Sequence, residues 1–427
     1  MFRSIFILVV LSAIPAPQPE TGWQEMLTAA IRLATAQNPR VREAEARVEA
    51  ARHRVPQATA LPDPEVELGL KDVPVAQPSL SRSDFTMEMV TGRQRLPGRG
   101  KRSAQLALAQ AGVEGAAAIG EREVVEIAAD TADAFFQLAA TDSSLAILEE
   151  SRQRLEDAEA SATERYKVGK AGQSDVLQAS LEKTSLDAQL SSLKAERRAQ
   201  AALFNALQNL PAGAPVPRIG ALPPDFDIPD AAALVQRAAE RSPAVTAAQA
   251  EAHRLEQELE LARLESRPDW TLMSYYGHRE RFEDLVGVSA SVSLPWAHRG
   301  RLEERRAEKE AELAAARAHV EAARNQLQMD LAIAFADLQR NVEQGRLYAS
   351  SILPQAEINY RAAREAYVVG RIDFLTLMRA ATNLDRYRQE AAMRTSGIGR
   401  ALAALQKASG LPLIPGTPSA GGSHVEK

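Results

Sequence analysis

The chain has 427 residues, a net charge of −5 and no cysteine. The negative charge argues against a general affinity for nucleic acid, and the lack of cysteine excludes disulfides, thiolate metal sites and thiol catalysis. Aromatic residues make up only 5% of the chain while Ala, Glu, Arg and Leu dominate, which favours long helices and coiled coils over sandwiches or doubly wound sheets.

The N-terminal residues 1–16 are typical of a secretory signal peptide. Arg3 precedes an apolar stretch from Ile5 to Ile14, and small residues and prolines follow, with no clear cleavage site. This stretch is too short for a permanent membrane helix, and no later stretch offers the ~18 apolar residues that such a helix needs. We therefore expect an exported protein that is not an α-helical membrane protein.

Comparison of the chain with itself indicates a duplication. Pro39 corresponds to Pro243, and further segments correspond in the same order. These pairs are LPGRGKR (96–102) with LPWAHRGR (294–301), AFFQL (134–138) with AFADL (334–338), and RYKVGKAGQSDVLQA (165–179) with AYVVGRIDFLTLMRA (366–380). The predicted repeats span 22–210 and 230–410. A Pro-rich linker (211–229) joins them, and a tail (411–427) is expected to be disordered.

Each repeat combines long helical segments with a short stretch whose composition is not typical of a helix. In the first repeat Ile127 and Ala134 lie seven residues apart, as do Leu138 and Leu145, which is typical of a coiled-coil seam. A helix from about residue 100 to 165 would be ~100 Å long at 1.5 Å per residue. The molecule must therefore be elongated.

The short stretches alternate polar and apolar residues, which predicts β-strands. Residues 285–294 alternate strictly, and residues 85–90 place Phe85, Met87 and Met89 on one face, with Thr86 and Glu88 on the other. We predict strands at about 64–72, 83–95, 268–277 and 284–294, with apolar side chains towards lipid and polar ones inward. The alternative is two half-buried hairpins packed on the helices of a soluble protein.

A sheet in lipid cannot have a free edge, and the smallest ordinary single-chain barrels have eight strands. Four strands per chain can close only by joining those of other copies, so membrane insertion predicts a homo-oligomer. Three copies would supply twelve strands.

The duplicated plan resembles the TolC-type outer-membrane efflux proteins from about residue 22 to 410. The closest motifs are the two Y-x-x-G turns and ILPQAEINYRAAREAYVVG (352–370). ALPDPEVELGL, followed by Q-x-L-P-G-x-G-K-R, further resembles the heavy-metal-efflux branch of RND systems. The resemblance implies a homotrimer in outer-membrane lipid, with a twelve-stranded barrel continued by a twelve-helix periplasmic tunnel. It also implies a periplasmic adaptor (membrane fusion protein) and an inner-membrane pump of the RND type as partners, and a passive export conduit as function, with metal ions as one cargo class.

The resemblance also implies that the Y-x-x-G turns are helix tips that contact the adaptor. The matching residues here are Tyr166, Gly169, Lys170, Gly172, Ser174, Asp175, Val176, Leu177, Tyr367, Gly370, Arg371, Phe374 and Leu377. Independently of the resemblance, glycine suits a helix C-terminus and Ser174 can cap the returning helix. Relatives carry aperture carboxylates six and nine positions after the second glycine. Thr376 and Arg379 stand there in this chain, with Asp373 nearby, which puts an acidic ring in doubt.

A run of cations lies where each strand is expected to meet a long helix. We expect these barrel–tunnel junctions to use prolines that end the strand, and cations that face phospholipid headgroups. Trp296 is typical of a bilayer interface. The junction residues are Arg95, Pro97, Arg99, Lys101, Arg102, Pro295, Trp296, Arg299 and Arg301.

No catalytic or metal-binding motif is present. The six histidines are scattered, and no nucleophile elbow or phosphate loop occurs, so we expect no enzyme, no cofactor and no resident metal. The alternative functions are a periplasmic adaptor and a structural coiled-coil protein. An adaptor would need one hairpin and a sandwich or lipoyl-like module, whereas this chain duplicates its hairpin.

Overall fold

The computed structural model describes residues 22–417 apart from 77, 82, 170, 171, 224, 225 and 296–298. The expected signal peptide, residues 1–16, therefore lies outside the described residues. The first repeat comprises α1 (Trp23–Gln37), α2 (Pro39–Thr59), β1 (Glu65–Lys71), β2 (Met87–Leu96), α3 (Lys101–Lys167) and α4 (Gln173–Leu207).

The second repeat follows the same order of elements. It comprises α5 (Ala231–Arg241), α6 (Pro243–Leu264), β3 (Trp270–His278), β4 (Leu285–Val292), α7 (Arg299–Leu347), a π-helix (Tyr348–Ile352), α8 (Leu353–Val368) and α9 (Phe374–Ser409). The predicted long helix is confirmed, since α3 has 67 residues and so spans ~100 Å. Across the described part of the chain, no helix combines the length and apolar character needed to span a membrane.

The duplicated prolines mark the start of a helix in both repeats. Pro39 is the first residue of α2 and Pro243 the first residue of α6, where the missing N–H costs no hydrogen bond. The Asn38 side chain caps α2 by accepting a hydrogen bond from Arg40 N at 2.9 Å, whereas Ser242 makes no such bond. The same local signal therefore starts both helices, with different caps.

The four strands form one antiparallel sheet in the order β1-β2-β3-β4. Its register places Leu68 opposite Val90, Val90 opposite Tyr276, and Tyr276 opposite Val286, so these side chains share one face. This apolar face is 40% to 76% exposed at Val66, Leu68, Leu70, Val90, Trp270, Leu272, Tyr276, Val286, Val288 and Val292. Within the described residues, β1 and β4 each leave one edge unpaired.

The expected orientation of Met87 and Met89 towards lipid is wrong. Met89 lies opposite Gly277, on the face that carries Thr91 and Arg93, whereas Glu88 lies opposite His278 on the apolar face. A Cβ at Gly277 would lie 2.7 Å from Met87 Sδ, so the thioether covers the glycine. The segment MEMV has apolar residues in both phases of the alternation, and only pairing with β3 fixes its direction.

The π-helix coincides with a single extra residue in the second repeat. Gly100 and Ala134 correspond to Gly300 and Ala334, both at an offset of 200, whereas Gly169 corresponds to Gly370 at an offset of 201. The extra residue therefore lies between Ala334 and Gly370, and the π-helix Tyr348–Ile352 falls in that interval. A single π turn is the usual way in which a helix takes up an insertion.

The largest core lies where the two repeats meet, and α1, α3, α4, α5, α7 and α9 all contribute buried residues to it. Phe135 and Phe136 are 1% exposed, and Trp23 packs 6.1 Å from the Phe136 ring. The linker runs along this core, where Asp142 accepts a hydrogen bond from Ile219 N at 2.9 Å. The expectation that the whole tail after 411 is disordered is wrong for its first residues, because Leu411 and Ile414 are buried at 2% and 5% exposure.

Candidate functional site

The two helical hairpins reverse through turns of nearly equal geometry. Gly169 has φ 72° and donates a hydrogen bond to Tyr166 O at 2.9 Å, while Gly370 has φ 75° and donates to Tyr367 O at 3.0 Å. A side chain at such a left-handed position costs about 1–2 kcal/mol, which explains why both turns use glycine. The expectation that glycine ends these helices is confirmed.

The returning helices begin differently in the two repeats. Ser174 does not cap α4 as expected, because Gly172 is the N-cap, makes no side-chain bond, and leaves Ser174 inside the first turn. In the second repeat Asp373 caps α9 by accepting from Thr376 N at 2.9 Å. Hydrogen bonding from the Thr376 hydroxyl and from its backbone N–H, aided by the nearby Arg379 guanidinium, lowers the pKa of Asp373.

Three of the predicted contact residues are buried between the two hairpins. Tyr367, Phe374 and Leu377 are 6%, 1% and 6% exposed and pack with Leu155 and Ala179 of the first hairpin. The Tyr367 and Phe374 rings meet edge to face at 5.7 Å. These residues join the hairpins, so a partner cannot touch them while the contact is intact.

Arg165 fastens Tyr367 to the first hairpin. Its Nη1 donates to Tyr367 O at 2.8 Å, and its guanidinium lies 4.5 Å from the ring centroid. The Tyr367 hydroxyl is buried and makes no hydrogen bond to any described residue. Burial raises the pKa of this phenol.

Other predicted tip residues remain on the surface. Tyr166 is 47% exposed and Leu177 is 63% exposed, and the apex residues Val168 and Val369 are each 66% exposed. Gly172, Ser174 and Arg371 are also exposed, Asp175 and Val176 are half-buried, and Lys170 lies outside the described residues. The tips thus present apolar side chains to solvent.

The three predicted aperture residues share the exposed face of α9. Asp373, Thr376 and Arg379 are all exposed, and Arg386 follows two turns later on the same face. Arg379 forms no ion pair with any residue in the described ranges. The face is therefore basic rather than acidic, apart from the capping carboxylate of Asp373.

Asp269, which sequence reasoning missed, organises the first junction. Its Oδ1 accepts hydrogen bonds from Gly98 N and Lys101 Nζ, both at 2.7 Å, and its Oδ2 accepts one from Arg95 at 3.0 Å. Burial raises the pKa of Asp269, but the bonds from Lys101, Gly98 and Arg95 outweigh it, so the pKa is lowered overall. Arg95 and Lys101 lie in a run of cations without an acidic residue, and this unbalanced charge was the signal that could have indicated an acidic partner elsewhere in the chain.

The remaining junction residues that the structure describes are half-buried or exposed. Arg102 donates to Thr59 O at 3.1 Å, and Arg267 donates to Arg99 O at 2.6 Å. Pro97 and Pro295 follow β2 and β4 as expected, and Trp296 lies outside the described residues. Lys101, 13% exposed, binds Asp269 instead of facing headgroups, whereas Arg95, Arg99, Arg102, Arg299 and Arg301 are exposed.

Trp270 and Tyr276 flank the apolar face of the sheet. Both rings lie on that face, six residues apart on β3, which corresponds to ~20 Å along the strand. Aromatic girdles on either side of an apolar band are typical of outer-membrane barrels. In the described part of the chain, no three His, Asp or Glu side chains are arranged to hold a metal ion.

A family model described as outer membrane efflux protein matches residues 30–210 and 234–411. The chain belongs to the outer membrane efflux protein family. The two matched segments correspond to the two repeats, and membership places this efflux protein in the outer membrane. The family is one of transport conduits.

Solved structures agree with this family fold. VceC of Vibrio cholerae has 20% identity and a TM-score of 0.76, over 91% of this chain and 98% of VceC. The open-state MtrE channel of Neisseria gonorrhoeae has 17% identity and a TM-score of 0.73, over 93% of both chains. CusC has 15% identity and a TM-score of 0.69, over 93% of this efflux protein and 97% of CusC. A search of the curated proteins found no match.

Proposed function

We propose that this chain is the outer-membrane conduit of a tripartite efflux system, and that it exports solutes as a passive homotrimer with no catalytic step. The observation that carries the proposal is the open four-stranded sheet with one exposed apolar face. Strand edges cannot remain unpaired in lipid, so this sheet has to close into a barrel. Three copies supply the twelve strands, and the helices of each chain continue the barrel into the periplasm.

Fractionation and reconstitution test this proposal. We expect the protein in the outer-membrane fraction, a trimeric mass in detergent, and discrete conductance steps in planar bilayers. Recovery from the soluble periplasm without detergent, as a monomer, would exclude the conduit and favour the adaptor or structural alternatives.

The exposed tips support contact with a periplasmic adaptor. Val168 and Val369 occupy equivalent apex positions and are each 66% exposed, so they can bury apolar surface on a partner. We expect the double change Val168→Asp and Val369→Asp to abolish efflux in cells while single-channel conductance is retained. Met329→Asp, at an exposed apolar position away from the tips, is the matched control.

We further propose that Asp373, Thr376 and Arg379 line the periplasmic aperture. A basic lining would favour anions, whereas a carboxylate ring would favour cations. Arg379→Glu should therefore shift the reversal potential in a KCl gradient towards cation selectivity. Unchanged ion preference and conductance would remove Arg379 from the aperture.

The cargo proposal rests on the resemblance of ALPDPEVELGL and the 94–102 motif to the heavy-metal branch. Deletion of the protein should then sensitise cells to metal salts and leave growth on dyes, detergents and antibiotics unchanged. Sensitivity to organic compounds alone would contradict it.

We also propose that the exposed cations of the junctions contact lipid headgroups. These cations are Arg95, Arg99, Arg102, Arg299 and Arg301. Neutralising them should lower the yield of trimer.

A further inference from the structure

The two tip tyrosines are equivalent in the duplication but differ in burial. Tyr166 and Tyr367 each lie three residues before the turn glycine, yet Tyr166 is 47% exposed and Tyr367 only 6%. The apex residues Val168 and Val369 are equally exposed, at 66% each, so the two tips do not differ in general accessibility. The difference must come from what lies beside each tyrosine.

Tyr367 is buried because the first hairpin lies beside it. Arg165 of α3 covers its ring at 4.5 Å, and Leu155 and Ala179 belong to the same cluster. In the described chain no hairpin occupies the corresponding place beside Tyr166. An exposed ring whose duplicate is buried therefore points to a missing neighbour.

The order of the sheet identifies that neighbour. The unpaired edges belong to β1 of the first repeat and β4 of the second. When copies join at these edges, the second repeat of one chain comes next to the first repeat of the next chain. The hairpins then alternate around the assembly, and the place beside Tyr166 is taken by the second hairpin of a neighbouring copy.

The second hairpin has small residues where a ring would insert. The positions equivalent to Leu155, Arg165 and Ala179 are Ala356, Ala366 and Ala380. Methyl groups leave room for an aromatic ring but provide no guanidinium to cover it. The contact between copies would therefore lack the cation–π interaction that holds Tyr367 within the chain.

We propose that Tyr166 is an interaction surface for a second copy of this chain and packs against Ala356 and Ala366 of the neighbouring second hairpin, whereas Ala380 is already buried within its own chain. The inference rests on the proposed trimeric conduit and adds the residues that join its copies at the tip. It also removes Tyr166 from the adaptor-contact surface, which then consists of the apex valines and their neighbours.

The absence of cysteine from the sequence makes a clean crosslinking test feasible. Chains with only Tyr166→Cys and chains with only Ala366→Cys are mixed, assembled in detergent and treated with a short bismaleimide. A covalent dimer that forms in the mixture but in neither variant alone shows that residues 166 and 366 of different copies lie together. We expect a dimer band on denaturing gels from the mixture and no such band from either variant alone.

Two controls separate the outcomes. Arg165→Cys with Tyr367→Cys in one chain should crosslink internally, as shown by mass spectrometry of the linked peptides, and native mass should show trimers for every variant. Trimers without the mixed-chain dimer would overturn the proposal and leave the conduit intact. A wild-type protein that forms no trimer would overturn both.

Discussion

Lys101 Nζ lies 2.7 Å from Asp269 Oδ1 and joins the first residue of α3 to the residue before β3. The contact links the two repeats at the point where sheet becomes helix. Gly98 completes it, because its N–H donates to the same oxygen and a Cβ at residue 98 would lie 2.6 Å from Pro268 O. The chain can pass this close only with glycine at position 98.

Removal of the Asp269 charge should destabilise the protein. In Asp269→Asn, Lys101 and Arg95 lose a partner in a site where Asp269 and Lys101 are each 13% exposed. Charge-assisted hydrogen bonds of this kind contribute about 1.5–3 kcal/mol, so the thermal midpoint of the detergent-solubilised protein should fall by several degrees. Glu65→Gln is the matched control, since Glu65 holds the equivalent position without an ion pair among the described residues. An equal loss in both variants would contradict the assigned role.

The same carboxylate predicts a pH dependence of stability. The lowered pKa of Asp269 means that the folded state binds its proton less readily than the unfolded chain, whose pKa is about 3.9. Its stabilisation is therefore present above about pH 4 and lost as the pH falls through the lowered folded value. The difference in thermal midpoint between wild type and Asp269→Asn should be constant from neutral pH to about pH 5, and should shrink on further acidification.

Substitution of the turn glycines should destabilise the protein because of their backbone conformation, and not because a side chain would clash. Nothing lies within 4 Å of a Cβ built at Gly169, but its φ of 72° disfavours any L side chain. We expect Gly169→Ala and Gly370→Ala to lower the free energy of unfolding by about 1–2 kcal/mol each. Asn should cost less than Ala, because it tolerates this conformation. Gly112→Ala, in open space inside α3, should instead stabilise by up to about 1 kcal/mol.

The Tyr367 hydroxyl should be dispensable and its ring essential. The hydroxyl is buried without a partner among the described residues, so Tyr367→Phe removes an unsatisfied polar group and should leave stability unchanged or slightly raised. Tyr367→Ala removes the ring from the cluster and should cost about 3–5 kcal/mol. Chemical denaturation of the two variants beside wild type measures both effects. A large loss in Tyr367→Phe would show that the hydroxyl does have a hydrogen-bond partner.

Adjacent residues of β4 should respond oppositely to a charge. Val288 is 75% exposed on the apolar face, whereas Ser289 lies opposite Met273 on the polar face. Val288→Arg should cost about 2–4 kcal/mol near the middle of a bilayer and lower the yield of membrane-inserted trimer. Ser289→Arg should insert normally. If both variants insert equally well, this face of the sheet does not contact lipid.

The duplication and the long helix could be predicted from the sequence because each is a pattern that many residues share. Such patterns remain visible even where single positions depart from them. The predicted orientation of Met87 and Met89 was wrong because MEMV fits a strand in either phase of the alternation. Only pairing with β3 decides which of the two phases is adopted. Asp269 was missed because its partners Arg95 and Lys101 are distant in sequence and meet it only when the strands pair.

Local cap signals were also ambiguous from sequence alone. Ser174 has the side chain of an N-cap, yet α4 begins one residue before it, whereas Asp373 at the second tip does cap its helix. The burial of Tyr367 against an exposed Tyr166 had no sequence signal, since both belong to the same Y-x-x-G motif. That difference depends on which hairpin each tyrosine meets.

The π-helix determines where the second tip points. One residue inserted into a regular α-helix turns every later side chain by about 100° around the axis, because a turn holds 3.6 residues. Without the wider turn at Tyr348–Ile352, Tyr367 would point away from Arg165. The helix of the second repeat is therefore one residue longer than its counterpart, and the side chains at its tip keep the orientation of those at the first tip.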